Sequence, residues 1–127
     1  MNDQNRLEIL AASAHMANRA YCIALGDSSQ PTWESAPEWM KTSAINGAKG
    51  VLAGNSPRES HELWLSEKLA TGWKYGQYKN IDKKEHPCCR PYNELPSVQQ
   101  LKDYIFVATV RSVAEVLGLQ CAVRVVA

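Results

Sequence analysis

Long apolar runs are missing from this chain. No stretch approaches the roughly 18 apolar residues that suggest a membrane span. No export signal is expected either, because Met1-Asn2-Asp3-Gln4-Asn5-Arg6 leads into an amphipathic run. The expectation is therefore a cytoplasmic protein with no membrane partner. Neither sign of charge is in excess: 14 basic against 13 acidic residues leave a net charge of +1. A general nucleic-acid binder carries a strong basic excess, so nucleic acid is not an expected partner. Cysteine is limited to Cys22, Cys88, Cys89 and Cys121, with no repeated spacing. Adjacent cysteines rarely bond each other and nothing points to an oxidising compartment, so all are read as reduced. Internal repeats and low-complexity segments are also absent. The 127 residues suffice for one core and are too few for two.

What is present is helical punctuation. Leu7, Leu10, Ala14, Ala17, Tyr21 and Ala24 recur at threes and fours, one face of a helix over residues 7–25, with Gly26 as its left-handed stop. Residues 27–34 read as a loop. Ser35-Ala36-Pro37-Glu38 has the pattern of a capping box, opening a second helix with Trp39, Ile45, Ala48 and Leu52 on one side. Gly47 and Gly50 weaken that helix. Ser56-Pro57-Arg58-Glu59 is a second box, with proline where its missing N–H is harmless, and its helix ends at Gly72. Residues 73–92 lack a helical period and read as an ordered loop with a short hairpin around 75–81. Pro96 opens a fourth helix ending at Gly118, with Leu101, Ile105, Ala108, Val113, Val116 and Leu117 expected inside. The β-branched tail, residues 121–126, reads as an edge strand. The fold class expected is mainly α: one four-helix domain over residues 1–127, with an ordered aromatic and basic loop and a small β element.

The chemistry concentrates in that loop and the helix before it. Trp64, Trp73, Tyr75, Tyr78 and Tyr92 fall there, interleaved with Lys74, Lys79, Lys83, Lys84 and Arg90 against only Asp82 and Glu85. Rings stack and cations neutralise, which suits a planar ligand carrying an anion. The competing readings are a buried tryptophan core and a solvated charged loop. Candidate ligand-binding residues are Trp64, Trp73, Tyr75, Tyr78, His61, Lys79, Arg90 and Trp39. Arg90 is expected to grip a phosphate in bidentate fashion and stack on Tyr92. His61 and Glu62 point about 100° apart on a helix and do not converge on one atom; His61 is expected to donate to the loop above it. His61, His86, Cys88 and Cys89 lack the paired spacings of structural zinc sites, so no metal is assigned. With no carboxylate cluster for Mg²⁺ or general-base work, and no orienting partner for a Cys88 nucleophile, neither cofactor nor enzymatic activity is expected.

His61-Glu62-Leu63-Trp64, Gly72-Trp73-Lys74-Tyr75-Gly76, His86-Pro87-Cys88 and Leu95-Pro96 occur in an order that resembles the ryanodine receptor repeat, or RyR domain, over roughly residues 57–113. Asn18-Arg19-Ala20-Tyr21-Cys22, Trp33-Glu34 and Ala36-Pro37-Glu38-Trp39 are similar to stand-alone prokaryotic and viral members. The resemblance implies a mostly helical fold with a small β element. It also implies a small-molecule ligand of the adenine-nucleotide kind, since in the animal receptors paired repeats form a clamp whose counterpart of Trp64 stacks on an adenine-type ring. Here there is one repeat, so the opposing wall must come from Trp33 or Trp39, or from a second copy in a homodimer. Cys89 and Asn80 depart from the receptor pattern, and ion conduction is not implied. Two functions stand side by side: a nucleotide-binding module, and a protein-interaction module using the same aromatic loop.

Overall fold

In a computed structural model, residues 1–122 are described and form four α-helices: α1 Asp3–Ala24, α2 Glu38–Leu52, α3 Pro57–Ala70 and α4 Ser97–Val116. A two-residue strand pair, β1 Lys74–Tyr75 and β2 Glu85–His86, and a 3₁₀ turn at Tyr92–Glu94 lie between α3 and α4. The domain is mainly α, as the punctuation predicts. No helix among the described residues is long and apolar enough to cross a membrane.

All four helices end on a glycine at positive φ, including Gly54, which the pattern did not mark. At Gly72 (φ +89°) the chain reverses so that the Trp73 N–H donates to the Lys68 carbonyl at 2.9 Å. This closes a Schellman motif that a side chain with a Cβ would strain. The start of α3 is also as expected. The Ser56 hydroxyl accepts from Glu59 N–H (3.2 Å), the Glu59 carboxylate accepts from Ser56 N–H (3.1 Å), and proline takes the first turn. Ser56→Ala should therefore lower stability by about 1 kcal/mol. An unchanged denaturation midpoint at constant m-value would show the box contributes nothing.

The start of α2 differs from the expected box. Pro37 is the N-cap, with no side-chain cap, and its carbonyl accepts from Met40 and Lys41 (3.0 and 3.1 Å). Ser35 is held instead in a turn, its N–H donating to Thr32 Oγ1 at 3.4 Å. Trp39 also leaves the 45/48/52 stripe. It lies six residues before Ile45, which at about 3.6 residues per turn is well off the same face, and it is 46% exposed.

The core is made of Leu10, Ala11 and Ala14 from α1, Ala48 and Val51 from α2, and Val107, Val110 and Ala114 from α4. Its alanines let the helices approach closely. The Gly47 position has a packing reason: a Cβ there would meet Phe106 Cζ at 2.9 Å. The buried stripe of α4 is not the one expected. Leu101, Ala108 and Val116 face solvent, Val116 at 84% exposure, while Val107, Val110 and Ala114 are inside. Much of α4 from Ile105 to Val116 is apolar, so periodicity could not choose a face and packing against α1 and α2 did. For the same reason α1 buries Ala11 and Cys22 in place of Ala17 and Ala24.

The hairpin expected around 75–81 does not form. The chain reverses later, where Asn80 and Glu85 exchange backbone hydrogen bonds (both 2.9 Å) and Lys84 takes φ +53°. That delayed reversal brings β2 beside β1 in parallel, Lys74 opposite Glu85 and Tyr75 opposite His86. The edge strand expected over 121–126 lies outside the described residues, except that Ala122 N–H donates to the Leu52 carbonyl at 2.9 Å.

Candidate functional site

On α3, His61, Trp64 and Lys68 stand at spacings of three and four and form one stripe. The turn at Gly72 folds Trp73 back beside the end of that stripe, and the start of α2 brings Trp39 to meet it. The Trp39 and Trp73 rings are 6.2 Å apart and tilted by 44°. His61 stacks on Trp64 (5.6 Å, 29°), and His86 meets Trp64 edge-on (5.1 Å, 70°). Within this wall lies the Lys68 ammonium, 4.2 Å from the Trp39 ring centre, 4.5 Å from Trp73 and 5.7 Å from Trp64. Burial pushes the Lys68 pKa down, as expected for an ammonium with little water around it.

His61 is 2% exposed and does what its position suggested. Its Nε2 donates to the Arg90 carbonyl (2.8 Å), tying the loop to α3, while Nδ1 lies 3.8 Å from Asp103 Oδ2. Nδ1 of His86 accepts from Cys88 N–H (3.0 Å), which assigns its proton to Nε2. Burial, with Lys79, Lys102 and Lys68 nearby, pushes the His86 pKa down to about 3, so the ring is neutral. Burial pushes the Cys88 thiol up to about 11, and its Sγ donates to Gln99 Oε1 at 3.3 Å. A protonated, hydrogen-bonded thiol is a poor nucleophile. Among the described residues no three His, Cys, Asp or Glu side chains converge as a metal-binding set.

The opposite bank of the cleft is polar and comes from α1, the loop after it and α4. His15 Nε2 donates to the Pro31 carbonyl (2.7 Å) and Arg19 Nε to that of Gln30 (3.3 Å), laying residues 27–37 along α1. Lys79 reaches in from the aromatic loop. Burial, then Lys102, lowers its pKa, and Asp27 opposes this. Asp27 is itself held low by hydrogen bonds from Ser29. Burial raises the Asp103 carboxyl to about 7 against the opposing pull of Lys102. Asn18 Nδ2 donates to the Lys102 carbonyl (3.1 Å), and its buried Oδ1 has no partner. The space enclosed between the two banks is about 220 Å³.

Of the candidates, Trp39, His61, Trp64, Trp73 and Lys79 line this cleft together. Tyr75, Tyr78 and Arg90 are not among its lining residues. Tyr78 is 77% exposed, and Arg90 lies over Tyr75 at 5.2 Å. Tyr92 is covered by Arg58 (5.3 Å), so the expected Arg90–Tyr92 stack does not form. Trp33 packs on His15 at 5.8 Å, leaving Trp39 as the wall that faces Trp73. Sequence reasoning missed Lys68, Lys102, Asp103 and Asn18. Lys68 was within reach, four residues after Trp64 on the same helix. Asn18 and Cys22, also four apart, sit in a motif noted above without a role. Lys102 and Asp103 were hidden by the misjudged face of α4.

The family model described as the RyR domain matches residues 39–123, well over half of the chain. It begins at Trp39, at the edge of the aromatic wall, and runs through α3, the loop and α4. The chain belongs to the RyR domain family.

Proposed function

We propose that this chain is a non-enzymatic small-molecule-binding module whose cleft takes a ring bearing an anion, a nucleotide or nucleotide-derived signal, in the cytoplasm. One observation carries the reading: three lysines, Lys68, Lys79 and Lys102, converge on a tryptophan-walled cleft, and all three act on His86. Among the described residues no carboxylate lies within salt-bridge distance of any of them. Lys68 and Lys79 are poorly solvated and, among the described residues, have no carboxylate in ion-pair contact; such charge is costly to bury, and a ligand phosphate would offset that cost. At about 220 Å³ the cleft is smaller than the roughly 300–1,000 Å³ of drug-sized pockets. It therefore suits one ring with one anionic group, any remainder lying in the mouth. Trp39 meets Trp73 within one chain, so the aromatic wall is completed without a second copy, and a ligand ring would stack on one indole face of it.

A thermal-shift screen of nucleotides, cyclic nucleotides and nucleosides tests the reading, because a ligand bound only by the folded state raises the melting temperature. Lys79→Ala or Lys102→Ala should weaken phosphorylated ligands about ten- to a hundredfold, as loss of a charged hydrogen bond does, and bare nucleosides far less. Arg90→Ala should leave both unchanged. If no nucleotide shifts the melting temperature at millimolar concentration, the reading falls. Exposed Tyr75, Tyr78 and Ile81 on the loop favour the second reading, a protein-interaction surface. Ile81 also borders the cleft, but Tyr75 and Tyr78 do not, so Tyr78→Ala would weaken a protein partner and spare the cleft.

A further inference from the structure

Lys68 fills the place where a ring would stack. Atoms of a stacked ring lie about 3.5–4.0 Å from the carbons of its partner. Nζ occupies that layer over two indoles at once, 4.2 Å from the Trp39 centre and 4.5 Å from Trp73. Trp64 is no more open, with His61 stacked at 5.6 Å and Nζ at 5.7 Å. The Trp39–Trp73 wedge, 6.2 Å across and inclined at 44°, holds an ammonium but not a plane parallel to both rings. Lys68 is 8% exposed, and its charge rests on indole faces with no ion pair among the described residues.

The geometry points to a latch: Lys68 is the built-in occupant of the Trp39–Trp64–Trp73 box, and an anion entering beside Lys79 and Lys102 draws it out. The face of a single indole, not the space between two, then becomes available, and only to a ligand that brings negative charge. This rests on the nucleotide reading above and adds its regulation: charge is recognised first and the ring second. The lysine stem is flexible and its head a compact point charge, so it can pivot at the end of α3 while the helix stays in place. A neutral ring has nothing to offer the displaced ammonium, whereas a phosphate has.

Tryptophan emission during titration tests the latch, with inorganic pyrophosphate, adenosine and adenosine 5′-diphosphate as probes. Pyrophosphate should change the emission of the natural chain and of Lys68→Arg, which keeps the charge, and leave that of Lys68→Met unchanged. Lys79→Ala should shift the pyrophosphate midpoint to higher concentration. The natural chain should prefer the diphosphate to adenosine, and Lys68→Met should bind adenosine about tenfold more tightly, the scale of one lost cation–π contact. A natural chain silent to pyrophosphate overturns the latch, as does an identical response in Lys68→Met. Weaker adenosine binding by Lys68→Met overturns it too, while leaving the nucleotide reading intact. A pyrophosphate response with no nucleoside or nucleotide binding does the opposite: the latch stands and the nucleotide reading falls. Should Lys68→Met fail to fold, by circular dichroism, the natural chain, Lys68→Arg and Lys79→Ala still decide the matter through pyrophosphate.

Discussion

Asp103→Asn should stabilise the protein at pH 8 and change its stability little near pH 4. The Asp103 carboxyl titrates near 3.8 in an unfolded chain and at about 7 in the folded one, because burial penalises its charge. Between those values the folded protein holds a proton that the unfolded chain has released. Stability from this group is therefore present below about pH 4, falls as pH rises through 7 and stays low above. At 1.36 kcal/mol per unit, a shift of about three units makes the cost of the ionised carboxylate up to about 4 kcal/mol. Asparagine cannot ionise and avoids that cost. His86 works in the other direction. Its pKa drops from 6.5 to about 3 on folding, so its stability is present above 6.5 and lost as pH falls through 3. Between roughly pH 4 and 6.5 the two slopes oppose each other, and the natural chain should be nearly flat there. Asp103→Asn should expose the His86 slope alone. Urea denaturation of both chains from pH 4 to 8 checks this, and a difference that does not vary with pH would refute it.

Trp64→Ala should be the most damaging single change in the aromatic wall. Its ring packs on the small cluster of Cys88, Tyr92 and Leu95, stacks on His61 and receives the edge of His86. Truncating a packed tryptophan costs about 3–5 kcal/mol, a large part of the 5–15 kcal/mol that holds a typical domain together. Because Trp64 is only partly buried, the lower end of that range is expected. The hydrogen bond from His61 to the Arg90 carbonyl should loosen with it, freeing the loop. The checks are the denaturation midpoint and amide exchange across residues 85–95. A loss under about 1 kcal/mol would mean the site collapses around the missing ring. Trp64 is thus as much a support of the wall as a surface of it, so ligand tests belong first with Lys79 and Lys102.

Helix boundaries were legible because proline, glycine and Ser-x-x-Glu act locally. Ser56 to Glu59 and the stops at Gly26, Gly72 and Gly118 need no tertiary information. The Ser35 box failed because the same pattern is over-ruled when a turn at Trp33–Ala36 captures the serine. Faces were harder. An apolar run such as Ile105-Phe106-Val107-Ala108 offers several seams of equal quality, and only the neighbouring helices select one. Five of the eight candidate site residues do meet in one cleft, because stacking side chains announce themselves by type. The polar bank did not: Asn18 and Lys102 are 84 residues apart in sequence and are joined by one hydrogen bond that no local pattern encodes.

The family match begins at residue 39, whereas part of the cleft is built before it. Asn18, Cys22 and Gln30 border the side where Lys79 and Lys102 lie, and Leu10, Ala11 and Ala14 fill the core beneath. A minimal fragment cut at the family boundary would carry the tryptophan box intact. It would have lost the α1 part of the polar bank and left α2 and α4 with an open apolar groove. The portable unit for engineering therefore includes α1 and the loop after it, not the family-matched segment alone. Chains with the same 39–123 scaffold and a different leading helix would keep the tryptophan box and Lys68, Lys79 and Lys102, and would differ in the groups that Asn18, Cys22 and Gln30 supply to the cleft here.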